Sequence, residues 1–164
     1  MIADPTAGDG RVHERLPDRQ RALAANDLGY TLSLAQARGD GARLASAALD
    51  EGYRYVVAVG DDASVQDVVN GLFRDGAPIV DGPVLGVIAA ESANDLLRSF
   101  GLPTDVDGGV RHLLGDATYP FDVMRITCDD ADGRRQTRYA HNIAEIGLGA
   151  NVELARRRLP ARLG

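Results

Sequence analysis

Two runs that are apolar at every position, Tyr55–Val59 (YVVAV) and Val84–Ile88 (VLGVI), constrain the fold of this 164-residue chain most. A strand with one face in water alternates apolar and polar residues. A run without alternation has to be covered on both faces, as strands of a parallel sheet are. The flanking segments supply the cover. Ala42–Glu51 places Leu44, Ala45, Ala48 and Leu49 on one helical face. Val65, Val68, Val69, Leu72 and Phe73 recur at the spacing of a helical stripe. Val12–Asn26 reads as a helix interrupted by Pro17, Tyr30–Leu34 as a short strand and Ser92–Phe100 as a further helix. Alternating strands and helices predict an α/β fold, a Rossmann-like, doubly wound, mainly parallel sheet. Such sheets bind ligands at the C-terminal ends of their strands.

The pattern changes near Thr118. Phe121–Cys128 reads as a strand, Asp129–Gly133 (DDADG) as a turn and Arg138–Ile143 as an antiparallel return. Residues 1–117 are therefore expected to form the α/β domain. Residues 118–164 are expected to begin a β-rich second domain that is incomplete here. The last stretch, Ala155–Gly164, is basic and amphipathic with Pro160 inside it. Its cluster Arg156, Arg157 and Arg158 reads as a solvated helix face, with contact to anionic lipid as the alternative.

Composition excludes several functions. A net charge of −6 argues against a dedicated nucleic-acid binder, which needs a basic face. All 18 cationic residues are arginine, so neither a Walker-A loop nor a Schiff-base lysine is available. One cysteine, Cys128, allows no disulfide within the chain and no cysteine metal site, and is expected to be buried or partly buried. Met1–Gly10 lacks a signal pattern and no apolar run is long enough for a membrane span, so a cytoplasmic location is expected. His13, His112 and His141 lack metal-ligand spacing, and His141 reads as structural.

Two segments share one design. Val56–Asp67 (VVAVGDDASVQD) and Val84–Asp95 (VLGVIAAESAND) each run from a buried strand through small and acidic residues into Ser-x-x-Asp. Ser64 with Asp67, and Ser92 with Asp95, fit a capping box at a helix start. Two helix N-termini at one crevice make an anion site. A third loop, Asp4–Gly10 (DPTAGDG), has glycines that let backbone approach a phosphate. Three loops of this kind at strand ends point to a nucleotide, making residues 1–117 a nucleotide-binding domain. Asp129, Asp130 and Asp132 read as a polar hairpin turn rather than a cation site.

These loops resemble the diacylglycerol kinase catalytic-domain family, which includes diacylglycerol, sphingosine and related bacterial lipid kinases. Asp4-Pro5-Thr6-Ala7-Gly8 is similar to its opening Asn-Pro-x-x-Gly. Gly60-Asp61-Asp62-Ala63-Ser64, with Asp67 and Asn70-Gly71, is similar to Gly-Gly-Asp-Gly-Thr…Glu…Asn-Gly. Leu85–Ile88 with Ser92-Ala93-Asn94-Asp95, continued by Arg98–Pro103, resembles Leu-Gly-Ile-Ile-Pro-x-Gly-Thr-x-Asn-Asp. Asn142–Ala144 with Ile146–Ala150 resembles the element that opens the second domain, Asn-x-x-x-x-Gly-x-x-Ala.

The resemblance implies an ATP domain beside a β-sandwich-type domain that helps bind lipid. It implies transfer of the ATP γ-phosphoryl to a lipid hydroxyl with Mg2+. Asp62 matches an acid serving nucleotide and metal. Ser64 and Ser92 match hydroxyls near the phosphates, and Asn94 and Asp95 match the pair securing the second loop. Asp4, Pro5, Thr6, Gly8, Gly60, Asp61, Ala63 and Gln66 complete the implied nucleotide site. Peripheral membrane contact and a homodimer are compatible with it. The family's catalytic base lies later in the chain, so no residue here is assigned that role.

The departures are specific. Asp61, Ala63 and Glu91 stand where the family has glycine, Ala89 where it has proline and Gln66 where it usually has asparagine. A Cβ at Ala63 is expected to obstruct close approach or a positive φ. Asp61 and Glu91 add negative charge; a like-charge pair at about 4 Å costs several kcal/mol when shielded from water. A bridging divalent cation reverses that sign. Two readings follow: a working metal-dependent kinase site, or a catalytically degenerate member acting as a binding or regulatory module. An acidic signalling pocket after a strand, suggested by Asp61 and Asp62, is disfavoured by the missing lysine.

Overall fold

The computed structural model describes residues 1–37, 39–90, 94–130 and 132–156. The expected α/β architecture is present. The strands β1 (Ile2–Ala3), β2 (Ser33–Leu34), β3 (Tyr55–Gly60) and β6 (Val84–Ala89) form one parallel sheet in the order β2-β1-β3-β6. Between them run α1 (Arg11–Ala25), α2 (Asp40–Asp50) and α3 (Asp62–Gly71), and α4 (Asp95–Ser99) and α5 (Val106–Arg111) follow β6. The chain leaves β1 toward β2 and then crosses to β3 on the other side. The strand order therefore reverses between β1 and β3, where doubly wound sheets open a crevice for ligands.

The runs without alternation are explained by a core on each face. Val56, Ala58, Val87 and Ala89 join Ala45, Leu49, Val65, Val68 and Val69, so α2 and α3 cover that side. Val59 and Ile88 point the other way, to Val12, Leu23 and Val110 from α1 and α5. Successive strand residues alternate between two apolar layers, and every position is apolar in consequence. Pro17 lies inside α1, which continues through it. Buried Val12 and Leu23 hold the helix to the sheet on either side of the missing N–H.

Some expected elements differ. The helix placed over Ser92–Phe100 is only α4, and α5 was not anticipated. The stripe through Leu72 and Phe73 outruns its helix: α3 stops at Gly71, and Phe73 enters a hairpin of β4 (Phe73–Arg74) and β5 (Ala77–Pro78). Its turn, Asp75-Gly76, has positive φ at both residues, the requirement of a tight hairpin turn. After residue 118, β7 (Met124–Asp129) and β8 (Arg135–Ala140) pair antiparallel, and α6 (Leu148–Arg156) follows. The return strand thus begins three residues before Arg138. Asp130 Oδ1 accepts the N–H groups of Asp132 and Arg134, so these acids build the turn. Cys128 is exposed, contrary to expectation, because β7 belongs to a two-stranded sheet with little packed over it. The cluster Arg157–Arg158 and the rest of the C-terminal segment lie outside the described residues, as do Glu91 and Ser92.

Candidate nucleotide site

The loops after β1, β3 and β6 meet at one end of the sheet because the three strands are adjacent and parallel. In the first, Asp4 Oδ1 accepts from Thr6 N at 2.9 Å and Thr6 Oγ1 at 2.7 Å, closing a turn on the side chain. Pro5 lies inside that turn. Gly8, Asp9 and Gly10 follow with φ of 61°, 56° and 88°, which turn the chain into α1. The first and third loops touch: a Cβ on Gly8 would stand 3.1 Å from Ala90 Cβ.

The second loop is tighter. A Cβ on Gly60 would overlap Ser64 Cβ and Oγ and stand 3.5 Å from Ala7 Cβ. Only glycine leaves room there for the start of α3. Asp61 is the N-cap of α3: its Oδ1 accepts from Ser64 N at 2.9 Å and Ser64 Oγ at 3.0 Å. Ser64, expected as the cap, is instead a buried residue of the first turn. The other expected partner, Asp67, reaches the neighbouring helix, where Oδ2 accepts Gly39 N at the start of α2 at 2.6 Å. The cap of α4 also differs from the expected Ser92: it is Asn94, accepting Leu97 N at 2.9 Å. In the second loop the capping acid lies nearer the strand than the expected serine, and in the third loop the capping amide lies farther along the chain.

Asp61 has an ordinary negative φ, and Ala63 is an exposed residue of the first turn of α3. The only non-glycine positive φ values among the described residues are at Asp9, Asp27 and Asp75. The positive φ considered for the Ala63 position is not present: the backbone there is helical and needs no glycine.

Asp62 links the second loop to the third. Its two carboxylate oxygens accept Asp95 N at 3.0 and 3.1 Å, and Oδ1 lies 3.5 Å from Leu96 N. Helix-start N–H groups that suit an anion are occupied by this carboxylate. Among the described residues no group of three or more His, Cys, Asp or Glu gathers to hold a metal ion.

Gln66 lies a turn into α3 and engages β8. Its Nε2 donates to Tyr139 O, and Oε1 pairs with His141 Nδ1 at 2.9 Å. A carbonyl only accepts, so the amide nitrogen faces Tyr139 and Oε1 takes a proton from His141 Nδ1. Burial lowers the His141 pKa, the Asp62 charge opposes this, and Nε2 has no partner among the described residues. Asn70 continues the seam: Nδ2 donates to Tyr139 O at 2.9 Å and Oδ1 accepts Tyr139 N at 2.9 Å. The Tyr139 ring stacks on Phe73 at 4.1 Å. Asn70→Ala should cost about 1–2 kcal/mol, because a half-buried amide loses both Tyr139 backbone partners and Gln66 O. Hydrogen exchange should speed at the Tyr139 amide and spare β3.

Two contributors were missed. Gln36 follows β2 at the same sheet end, its N–H held by Asp40 Oδ2 at 3.0 Å. Arg19 is buried beneath the third loop, where Nη2 donates to Ala89 O and Ala90 O. The clue to Arg19 was legible: with Val12, Leu16 and Leu23 it falls on the apolar stripe of α1. A cleft of about 560 Å³ is lined by Tyr55, Val84 and Leu85 of the sheet and by Leu96 and Leu97 of α4, among others.

The order of these loops along the sequence is matched elsewhere: residues 1–126 match the family described as the diacylglycerol kinase catalytic domain. The chain belongs to that family. Relatives of this diacylglycerol kinase-family chain include a diacylglycerol kinase of Staphylococcus haemolyticus, 29% identical over 147 residues, covering 90% of this chain and 41% of the relative. A diacylglycerol kinase of Staphylococcus epidermidis is 30% identical over 149 residues, covering 90% and 42%. A crystal structure of a diacylglycerol kinase from Bacillus anthracis has a TM-score of 0.55 at 20% identity, covering 82% of this chain and 43% of that one. At that identity it shows the shared fold. The family chain spans about two fifths of the length of these curated relatives. No helix among its described residues is long and apolar enough to cross a membrane.

Proposed function

We propose that this chain is the nucleotide-binding part of an ATP-dependent lipid kinase, acting in transfer of the γ-phosphoryl group to a lipid hydroxyl. The observation that carries the reading is the junction of three strand-end loops beside the β1/β3 reversal, with Asp62 binding the backbone of α4. Phosphoryl transfer asks a protein mainly to position phosphates and offset their charge. In this reading Asp4, Pro5, Thr6 and Gly8 form one wall, and Gly60, Asp61, Asp62, Ala63 and Ser64 the other. Asn94 and Asp95 hold the third loop against Asp62, and Gln66 braces the second from behind.

Mg2+ commonly binds through one or two carboxylates plus substrate phosphates, so the sparse acids of this site fit an ion arriving with the nucleotide. Asp62 is the residue proposed to meet it, and the ion would neutralise phosphate charge. The division near residue 118 is proposed as the boundary with a lipid-binding unit. A lipid substrate places the protein at a membrane surface, as a cytoplasmic, peripheral protein. Isothermal calorimetry of the chain with ATP and ADP tests the reading. Saturable, magnesium-dependent binding is expected; no heat and no thermal stabilisation by either nucleotide would sink it.

A further inference from the structure

Arg19, which holds the start of the third loop, is the largest side chain the core encloses, only 1% exposed. Nη2 donates to Ala89 O at 2.7 Å and Ala90 O at 3.0 Å, the end of β6 and the residue after it. Ala90 is also the residue that Gly8 approaches. Nε and Nη1 have no hydrogen-bond partner among the described residues. The adjacent acid, Asp18, is engaged by Arg15 and Arg21 on the exposed side of α1. Burial lowers the Arg19 pKa from the usual guanidinium range, and arginine keeps its proton in proteins.

Among the described residues no acid hydrogen-bonds the guanidinium, although the Asp18 charge acts on it; a cation buried in this way costs several kcal/mol, and an apolar residue would fill this stripe position more cheaply. Two carbonyls need only a neutral donor. The excess charge has another effect: inside protein it is screened far less than a surface charge. It lies beneath the start of the third loop, and the adjoining loops carry Asp4, Asp61 and Asp62, whose own field repels phosphate.

We infer that Arg19 is an electrostatic and positioning residue of the site, fixing the exit of β6 and attracting a di- or triphosphate anion to the loops above it. The inference rests on the nucleotide reading, and pyrophosphate separates the two. Calorimetry with magnesium-ADP and with magnesium pyrophosphate is run on the chain and on Arg19→Met, Arg19→Gln and Arg19→Lys. Glutamine retains a donor for the carbonyls and loses the charge, so it serves if the methionine variant does not fold. Both neutral variants should bind each ligand about tenfold more weakly, as expected when one charge acting through partly dehydrated protein is removed. Lysine should stay near the parent. A purely structural role shifts the thermal midpoint and leaves affinity well below that midpoint unchanged. Neutral variants binding as tightly as the parent, or lysine falling as far as glutamine, overturn the inference while the nucleotide reading stands. Arg19-dependent pyrophosphate binding without ADP binding upholds the inference and removes the nucleotide. A parent chain that binds neither ligand removes both.

Discussion

Gly71→Ala is expected to lower the thermal midpoint by roughly 4–8 °C, although alanine is the better helix former. Gly71 ends α3 where it crosses α2. A Cβ there would stand 2.7 Å from Ala45 Cβ and 2.8 Å from the Ala42 carbonyl carbon, and nearer still to the carbonyl oxygen. Ala45 is fully buried, and the obstructing oxygen is backbone, so no rotamer change relieves the overlap. The helices have to part. Overpacking of this kind typically costs about 1–3 kcal/mol, and more when backbone shifts. Against that, the helix gains about 1 kcal/mol from losing glycine. The balance is a net loss of roughly 2 kcal/mol, about 4–8 °C for a domain of this size. Differential scanning calorimetry reads it directly. A raised midpoint would show that α2 and α3 do not pack at this distance.

Asp62→Ala is expected to act on binding far more than on stability. The carboxylate serves the exposed N–H groups at the start of α4, and losing such a cap costs about 1 kcal/mol. In the proposed site the same carboxylate joins two loops and meets the magnesium brought by the nucleotide. Its removal should weaken magnesium-ATP binding by at least about 10- to 100-fold, the range seen when groups supporting a metal are lost. Calorimetry with and without magnesium separates two roles. If affinity falls only with magnesium present, Asp62 works through the ion. If affinity rises, Asp62 had been blocking N–H groups that a phosphate would otherwise occupy, and the metal role is abandoned.

The parts of the fold legible in the sequence were those set by local rules. Tyr55–Val59 and Val84–Ile88 read as two-sided strands because burial on both faces removes polar residues from both. The loops at Asp4, Gly60 and Asn94 read as strand-end loops because small and acidic residues collect there. The caps were misplaced in opposite directions: α3 is capped by Asp61, three residues before Ser64, and α4 by Asn94, two residues after Ser92. Ser-x-x-Asp satisfies the same spacing rule, and only the observed end of the strand shows which residue comes first. The Asp75-Gly76 hairpin was legible and masked by the helical stripe running into Leu72 and Phe73. The binding roles of these loop residues rest on proposal, whereas the meeting of the loops is a fact of the topology.

By itself, then, the sequence determined a parallel α/β sheet with three polar loops at its strand ends, together with membership of a kinase family through their order. These follow from residue type and spacing along the chain. Tertiary structure alone decided what the remaining polar groups do. Asp67 caps α2, Asp62 takes the backbone of α4, Asn70 and Gln66 bind Tyr139 and Arg19 holds the end of β6. Each partner is distant in sequence, and a hydrogen bond depends on distance and direction, which no local pattern encodes.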